Sequence, residues 1–147
     1  MKKETIKVGQ VIIDFLLEAA DTNGSAAMFE FTVPVGAKVP IPHYHKSYDE
    51  TIYGLDGIVT FTVEGKPIDI APGETCFIPR GAVHGFDNIK QEDAKALAVI
   101  TPGLLGPIFF KEVAAIVNAG GPPDIEKLKM VMLKHGLVPA MPKMQNA

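Results

Sequence analysis

The sequence predicts an all-β barrel followed by a short helical extension, and three observations carry that prediction. From Val8 to about Ile100, short apolar or alternating runs are broken at regular intervals by Gly, Pro, Asn and Asp, as in all-β sandwiches and barrels. Two of these runs alternate with period two, which gives a strand one buried and one polar face. Beyond Gly103 the spacing changes to that of amphipathic helices. The 147 residues are 47% hydrophobic and 21% charged, which suits one domain with a real core.

In chain order, Phe29, Phe31, Val33 and Val35 alternate with Glu30, Thr32 and Pro34, and the first set is expected to face inward. Val59, Phe61 and Val63 repeat the pattern against Thr60 and Thr62. Corners are expected at Asp21 to Ser25, Glu64-Gly65-Lys66, Ala71-Pro72-Gly73 and Pro79-Arg80-Gly81; in the last two, proline presets φ and glycine accepts positive φ. Thr101-Pro102-Gly103 closes a strand over Ala94 to Ile100, so residues 1–103 form the barrel. Residues 104–147 form a helical extension packed on the same domain. Its first helix, Pro107 to Ala119, has Phe109, Val113, Ile116 and Val117 on one face and stops at Gly120-Gly121-Pro122-Pro123. A second helix opens at Pro123 or Asp124, buries Ile125, Leu128, Val131 and Met132, and ends before Gly136, which suits the left-handed position past a helix. The pair is expected to cap one end of the barrel rather than pack on a partner, and the tail from Pro139 to Ala147 to fray.

Composition narrows the function. Fourteen Lys and Arg against seventeen Asp and Glu give a net charge of -3, so no cationic field gathers a nucleic-acid backbone. Arg80 is the single arginine, and a phosphate clamp of several guanidinium groups cannot be built. The lone cysteine, Cys76, lies in an apolar run and is expected to be a buried thiol. Met1-Lys2-Lys3-Glu4 does not lead into an apolar stretch of signal-peptide length, and no run spans a bilayer. The expectation is a cytoplasmic protein with no membrane partner.

Three of the four histidines lie between His43 and His84. The spacing His43-x-His45 puts two imidazoles on one side of a strand. Glu50 follows after a short connection that lets the next strand bring a carboxylate beside them, and His84 supplies a third nitrogen from elsewhere in the barrel. Three imidazoles and a carboxylate suit one divalent Mn, Fe, Co, Ni, Cu or Zn per chain rather than Ca or Mg, which prefer oxygen shells. His135 is set apart. It falls in the last turn of the second helix, where a cation meets the helix dipole favourably, and nothing near it in sequence suggests a ligand set.

At these residues the chain resembles the cupin superfamily. Gly36, His43-Tyr44-His45, Glu50 and Gly57 match its first motif; Gly73, Pro79-Arg80-Gly81, Val83-His84 and Asn88 match its second. Six residues separate Gly36 from His43 where the family more often has five, a departure in a turn and not in a ligand. The resemblance implies a cupin jelly-roll β-barrel, a metal held by His43, His45, Glu50 and His84, and a homodimer to which a long N-terminal strand could contribute. It leaves open whether Glu50 binds the ion or orients a histidine. It also implies a menu of dioxygenases, isomerases and epimerases, decarboxylases, lyases and non-catalytic binders. Sugar-nucleotide epimerases rank low because they need several cations on the phosphates. Ile52, Ile58, Val59, Phe61, Ile68, Ile70, Phe77 and Ile78, with Tyr44, Tyr48 and Tyr53, predict an apolar interior and hence a small apolar, phenolic or enolic molecule as ligand or substrate. The first reading is a metal-dependent oxidoreductase resembling the small single-domain relatives of quercetin dioxygenase, with Glu50 as ligand and catalytic base. That base role asks for a raised pKa or release from the ion. The alternatives are a binding cupin without catalysis and a metal-dependent lyase or isomerase.

Overall fold

The computed structural model describes residues 3–39 and 41–140. In chain order the strands are β1 (Glu4–Val8), β2 (Val11–Leu17), β3 (Ala27–Val33), β4 (His43–His45), β5 (Asp49–Asp56), β6 (Val59–Val63), β7 (Lys66–Ile70), β8 (Thr75–Ile78), β9 (His84–Asp87) and β10 (Ala94–Thr101). They are followed by α1 (Pro107–Val117), α2 (Ile125–Lys134) and β11 (Leu137–Pro139). Two antiparallel sheets result, one in the order β1-β2-β3-β10-β5-β8 and the other β11-β4-β9-β6-β7. They face each other, and the all-β class with a short helical segment is the one the sequence predicts. Phe31 of the first sheet lies 6.1 Å from Phe61 and 5.2 Å from Phe86 of the second, ring centre to ring centre.

The alternation read from the sequence sets this core. Phe29, Phe31, Val33, Val59 and Phe61 are buried, and Cys76 is a buried thiol whose pKa burial raises. The predicted corners hold where backbone chemistry demanded them. Glu64 and Gly65 both take positive φ between β6 and β7, the conformation that matches strand twist in a two-residue hairpin. Gly73 and Gly81 take positive φ after their prolines.

Some inward assignments fail. Val35 is 48% exposed because β3 ends at Val33 and the chain turns at Gly36. Phe77 is 60% exposed because β8 alternates so that Cys76 and Ile78 face the core and Phe77 faces outward. Ile68, Tyr53 and Ile125 are exposed as well. The long N-terminal strand is a hairpin, bent at Gly9 with φ near +60°, so that β1 pairs with β2.

The C-terminal segment is fastened at several points. Asn118, at the end of α1, accepts from Gly9 N at 2.8 Å and donates to Lys7 O at 2.8 Å, so one amide grips the β1–β2 turn. Asp124 caps α2 by accepting from Lys127 N, and Gly136 takes the expected left-handed φ past its end. The chain then forms β11, which pairs with β4 in the register Leu137 with His45 and Pro139 with His43. Fraying therefore does not begin at Pro139, because Pro139 lies in a strand and Ala140 N donates to Pro42 O at 3.1 Å. Residues 141–147 of that expected tail lie outside the described residues. Among the described residues, no helix is long and apolar enough to cross a membrane.

Candidate metal centre

His43 and His45 stand at the two ends of β4 with burial alternating along HYH, so both rings enter the space between the sheets and Tyr44 leaves it. His84 opens β9 directly across from His43, which makes it a cross-strand neighbour. The ring centres lie 5.3 Å apart for His43 and His45, 4.8 Å for His43 and His84, and 4.7 Å for His45 and His84. One ligand nitrogen from each of the three falls within 4.8 Å of the others, so these buried rings can hold a metal ion.

Glu50 arrives from the facing sheet. The connection from His45 carries the chain across to β5, where Glu50 and Ile52 point inward. Its Oε1 lies 3.4 Å from His84 Nε2 and 4.0 Å from His45 Nε2. The four sequence-predicted residues thus come together, with the carboxylate nearest His84 and the three imidazoles as the tighter set. His135 stands elsewhere, at the end of α2, where Nε2 is 3.2 Å from Glu112 Oε1.

The protonation chemistry suits nitrogen ligands. His43 Nδ1 lies 2.9 Å from Ile41 O and His84 Nδ1 3.0 Å from Ala82 O. A carbonyl only accepts, so each Nδ1 carries the proton; the Nε2 of His43 is left free for a ligand role, and that of His84 faces Glu50. Burial, aided by the other two histidines, takes the His43 pKa down to about 3. Burial takes His45 down to about 4 against the pull of Glu50. Both are neutral at neutral pH, as ligation requires. For Glu50 and His84 burial opposes charge, but their mutual hydrogen bond and attraction overcome it, leaving the carboxyl below and the imidazole above the ordinary value. His45 Nδ1 is the one buried side-chain nitrogen or oxygen without a hydrogen-bond partner among the described residues. Three buried imidazoles, one of them incompletely satisfied, around an ionised carboxylate form an expensive arrangement alone and a fitting one for a divalent transition ion.

The site opens on a cavity of about 110 Å³. Apart from the four site residues, exposed Lys38 and the backbone at Gly85, its lining is apolar, with Phe29, Phe31, Phe61 and Phe86 from the sheets and Phe109, Phe110, Val113, Leu128 and Met132 from the helices.

Comparison with known proteins agrees with this geometry. A family model described as a cupin domain matches residues 29–100. An oxalate-binding protein of Thermotoga maritima is 32% identical over 93 residues, covering 63% of this chain and 76% of that protein. The chain belongs to the cupin family. A second relative, quercetin 2,3-dioxygenase of Bacillus subtilis, is 30% identical over 89 residues; the match covers 60% of this cupin but only 26% of the enzyme. Among solved structures, a predicted oxalate decarboxylase of Thermotoga maritima superposes with a TM-score of 0.62 at 28% identity, covering 69% of this cupin and 93% of that chain.

Sequence reasoning placed Tyr48 near the ligand segment but gave it no role, and it missed one further part of the site. Tyr48 is fully enclosed, packs 4.5 Å from the His45 ring and donates its hydroxyl to His135 O at 3.1 Å, which joins the β4–β5 connection to the end of α2. Burial and Glu50 raise its phenol pKa, so it stays a donor. Its place three residues after His45 was the available signal. The other omission is β11, too short and too close to a proline to read as a strand.

Proposed function

We propose that this cupin is a mononuclear metal-dependent oxidoreductase, with His43, His45, Glu50 and His84 holding one divalent transition metal and a small, largely apolar phenolic or enolic molecule as substrate. The observation that carries the reading is the junction of three clustered imidazoles, with the Glu50 carboxylate beside them, and an apolar cavity, which suits a ligand with one oxygen-bearing end and a hydrocarbon body. When bound, the metal supplies Lewis acidity and, if redox-active, one-electron chemistry. The chain supplies the rest. Glu50 is the acceptor for a substrate O–H; because His84 and the other imidazoles keep it ionised, it serves as ligand and weak base rather than as a base of raised pKa. The aromatic walls hold the body of the substrate and exclude water.

A second reading, binding without catalysis, draws support from the likeness to an oxalate-binding protein. Oxalate, whose two carboxylates can face the ion together, would leave the apolar body of this cavity unfilled, and Lys38, the one lysine or arginine in the lining among the described residues, is exposed. Metal analysis of the purified protein, paired with dissolved-oxygen uptake on phenols and enediols, tests the choice. About one redox-active metal per chain with uptake supports the oxidoreductase. Bound metal without uptake supports binding or a lyase or isomerase, and absence of metal removes the site.

A further inference from the structure

We infer that Tyr48 is a positioning residue for the metal centre: its ring sets the plane of the His45 imidazole, and the backbone at the end of α2 holds Tyr48 in place. The inference rests on the metal-site reading above and adds to it the one site imidazole that no hydrogen bond aims among the described residues.

The outer torsion of a histidine side chain has broad, roughly twofold minima, so a ligand nitrogen is aimed at an ion only if a neighbour fixes the ring. At His43 and His84 a carbonyl does this, with Nδ1 at 2.9 Å from Ile41 O and 3.0 Å from Ala82 O. His45 has no such partner. Its side chain is 3% exposed and its Nδ1 is buried without a hydrogen bond. What lies against it is the Tyr48 ring, 4.5 Å away centre to centre and tilted by 30°. That spacing is the close end of the range for favourable aromatic pairs. His43 lies near-parallel at 5.3 Å and His84 edge-on at 4.7 Å, but both belong to the donor set; among the described residues Tyr48 is the one aromatic partner of His45 outside it. A flat neighbour confines the imidazole to one plane and with it the directions of its nitrogen lone pairs.

Tyr48 is itself fixed. It is 1% exposed, and its hydroxyl donates at 3.1 Å to the carbonyl of His135, the residue that caps the end of α2. Carbonyls at a helix C-terminus lack an intrahelical donor, so this bond satisfies both groups. Gly136 follows with φ near +82°, and a Cβ there would lie 3.4 Å from Tyr48 Cε1, so the backbone beyond the helix passes against the ring. The same stretch is tied to the histidine strand, since Lys46 N donates to Gly136 O at 2.9 Å and Leu137 pairs with His45. Residues 135–137 thus grip both the ring that stacks and the strand that carries the imidazole. They lie beyond residues 29–100, which match the family model, so the hold on His45 draws on this chain's own C-terminal segment.

Zinc is colourless and redox-inert, and the chain has three tyrosines and no tryptophan, so the near-ultraviolet difference spectrum on zinc addition reports tyrosine. One zinc per wild-type chain, lost in His43→Ala, is measured first; no uptake, or uptake unchanged in that variant, overturns the metal reading and this inference with it. Zinc is expected to perturb the tyrosine bands of the wild type and to leave those of Tyr48→Phe unchanged. Tyr48→Phe keeps the ring and is expected to bind zinc within about threefold of wild type, whereas Tyr48→Leu, which fills the core without a flat face, is expected to bind it about tenfold more weakly. Cobalt(II), whose visible bands report the arrangement of its ligands, is expected to give wild-type bands in Tyr48→Phe and shifted bands in Tyr48→Leu. A folded Tyr48→Leu with wild-type zinc affinity and cobalt bands overturns the inference while the metal reading stands. Equal losses in the two variants overturn the role of the ring. Zinc uptake by the wild type without a tyrosine difference, or with the same difference in Tyr48→Phe, overturns the inference as well, a comparison that needs no disruptive variant to fold. Oxygen uptake enters none of these measurements, so the oxidoreductase reading stands or falls separately.

Discussion

At His43 and His84 the side chain is aimed by a carbonyl two residues back, Ile41 O and Ala82 O, and that single hydrogen bond decides which nitrogen faces the space between the sheets. Replacing His43, His45 or His84 with Ala is expected to remove stoichiometric metal from a folded protein, because burial here serves the site more than the core. Glu50→Gln is expected to weaken metal while the three imidazoles retain some of it, and His135→Ala to leave metal unchanged. Metal analysis of the dialysed variants decides, and full occupancy in all three histidine variants would refute the assignment. Asn88 shows a different kind of constraint. It is buried, donates to Val33 O at 2.9 Å and Glu92 O at 2.7 Å, and accepts from Lys90 N at 3.0 Å, so one amide closes the end of β3 against the loop after β9. Asn88→Ala would leave two carbonyls short of a donor and is expected to cost about 1–3 kcal/mol. Urea denaturation with unchanged slope measures it, and an unchanged midpoint would contradict this account.

At the scale of the element, α1 and α2 meet through Glu112, whose carboxylate accepts from Lys134 and lies beside His135 Nε2. The lysine first and the histidine second lower the Glu112 pKa below the usual 4.5. A carboxylate lowered on folding stabilises the folded state above its unfolded pKa, and that contribution disappears as pH falls through the folded value. Melting temperatures of wild type and Glu112→Gln are therefore expected to differ at neutral pH and to converge as pH drops below about 4.5. Parallel curves down to pH 3 would show that the pair does not hold the helices. The helices themselves were legible, since Phe109, Val113, Leu128 and Met132 repeat at helical spacing and all are buried. So were the ligand pair His43-x-His45 and the glycine-bearing corners, because period-two alternation and positive φ are local properties. What the sequence concealed depends on partners far along the chain. Phe77 looks like Phe61 in a strand pattern, but it falls on the outward face of β8, between the buried Cys76 and Ile78. β5 looks like the neighbour of β4, yet the chain crosses to the other sheet and Glu50 meets the imidazoles across the core.

For the molecule as a whole, this crossing makes the site a tie between sheets. Three imidazoles belong to the sheet that β11 completes, and Glu50 belongs to the sheet that β1 and β2 extend, with α1 packed on β1. An ion held by all four groups binds the folded chain and has no comparable site in the unfolded one, where residues 43 and 84 are far apart. Mass action then stabilises the fold by about 2.7 kcal/mol when free metal is a hundredfold above its dissociation constant. For a chain near 150 residues each kcal/mol moves the melting temperature by about 2–4 °C, so metal addition is expected to raise it by about 5–11 °C and chelation to reverse the gain. His43→Ala isolates the cause, because the variant keeps the sheets and the C-terminal segment but lacks one ligand and should show no metal-dependent rise. A rise of equal size in that variant would locate the stabilising ion elsewhere. A wild-type protein that takes up one equivalent of metal without any rise would show that the unfolded chain binds the ion as tightly as the folded one, and that these four residues are not its site.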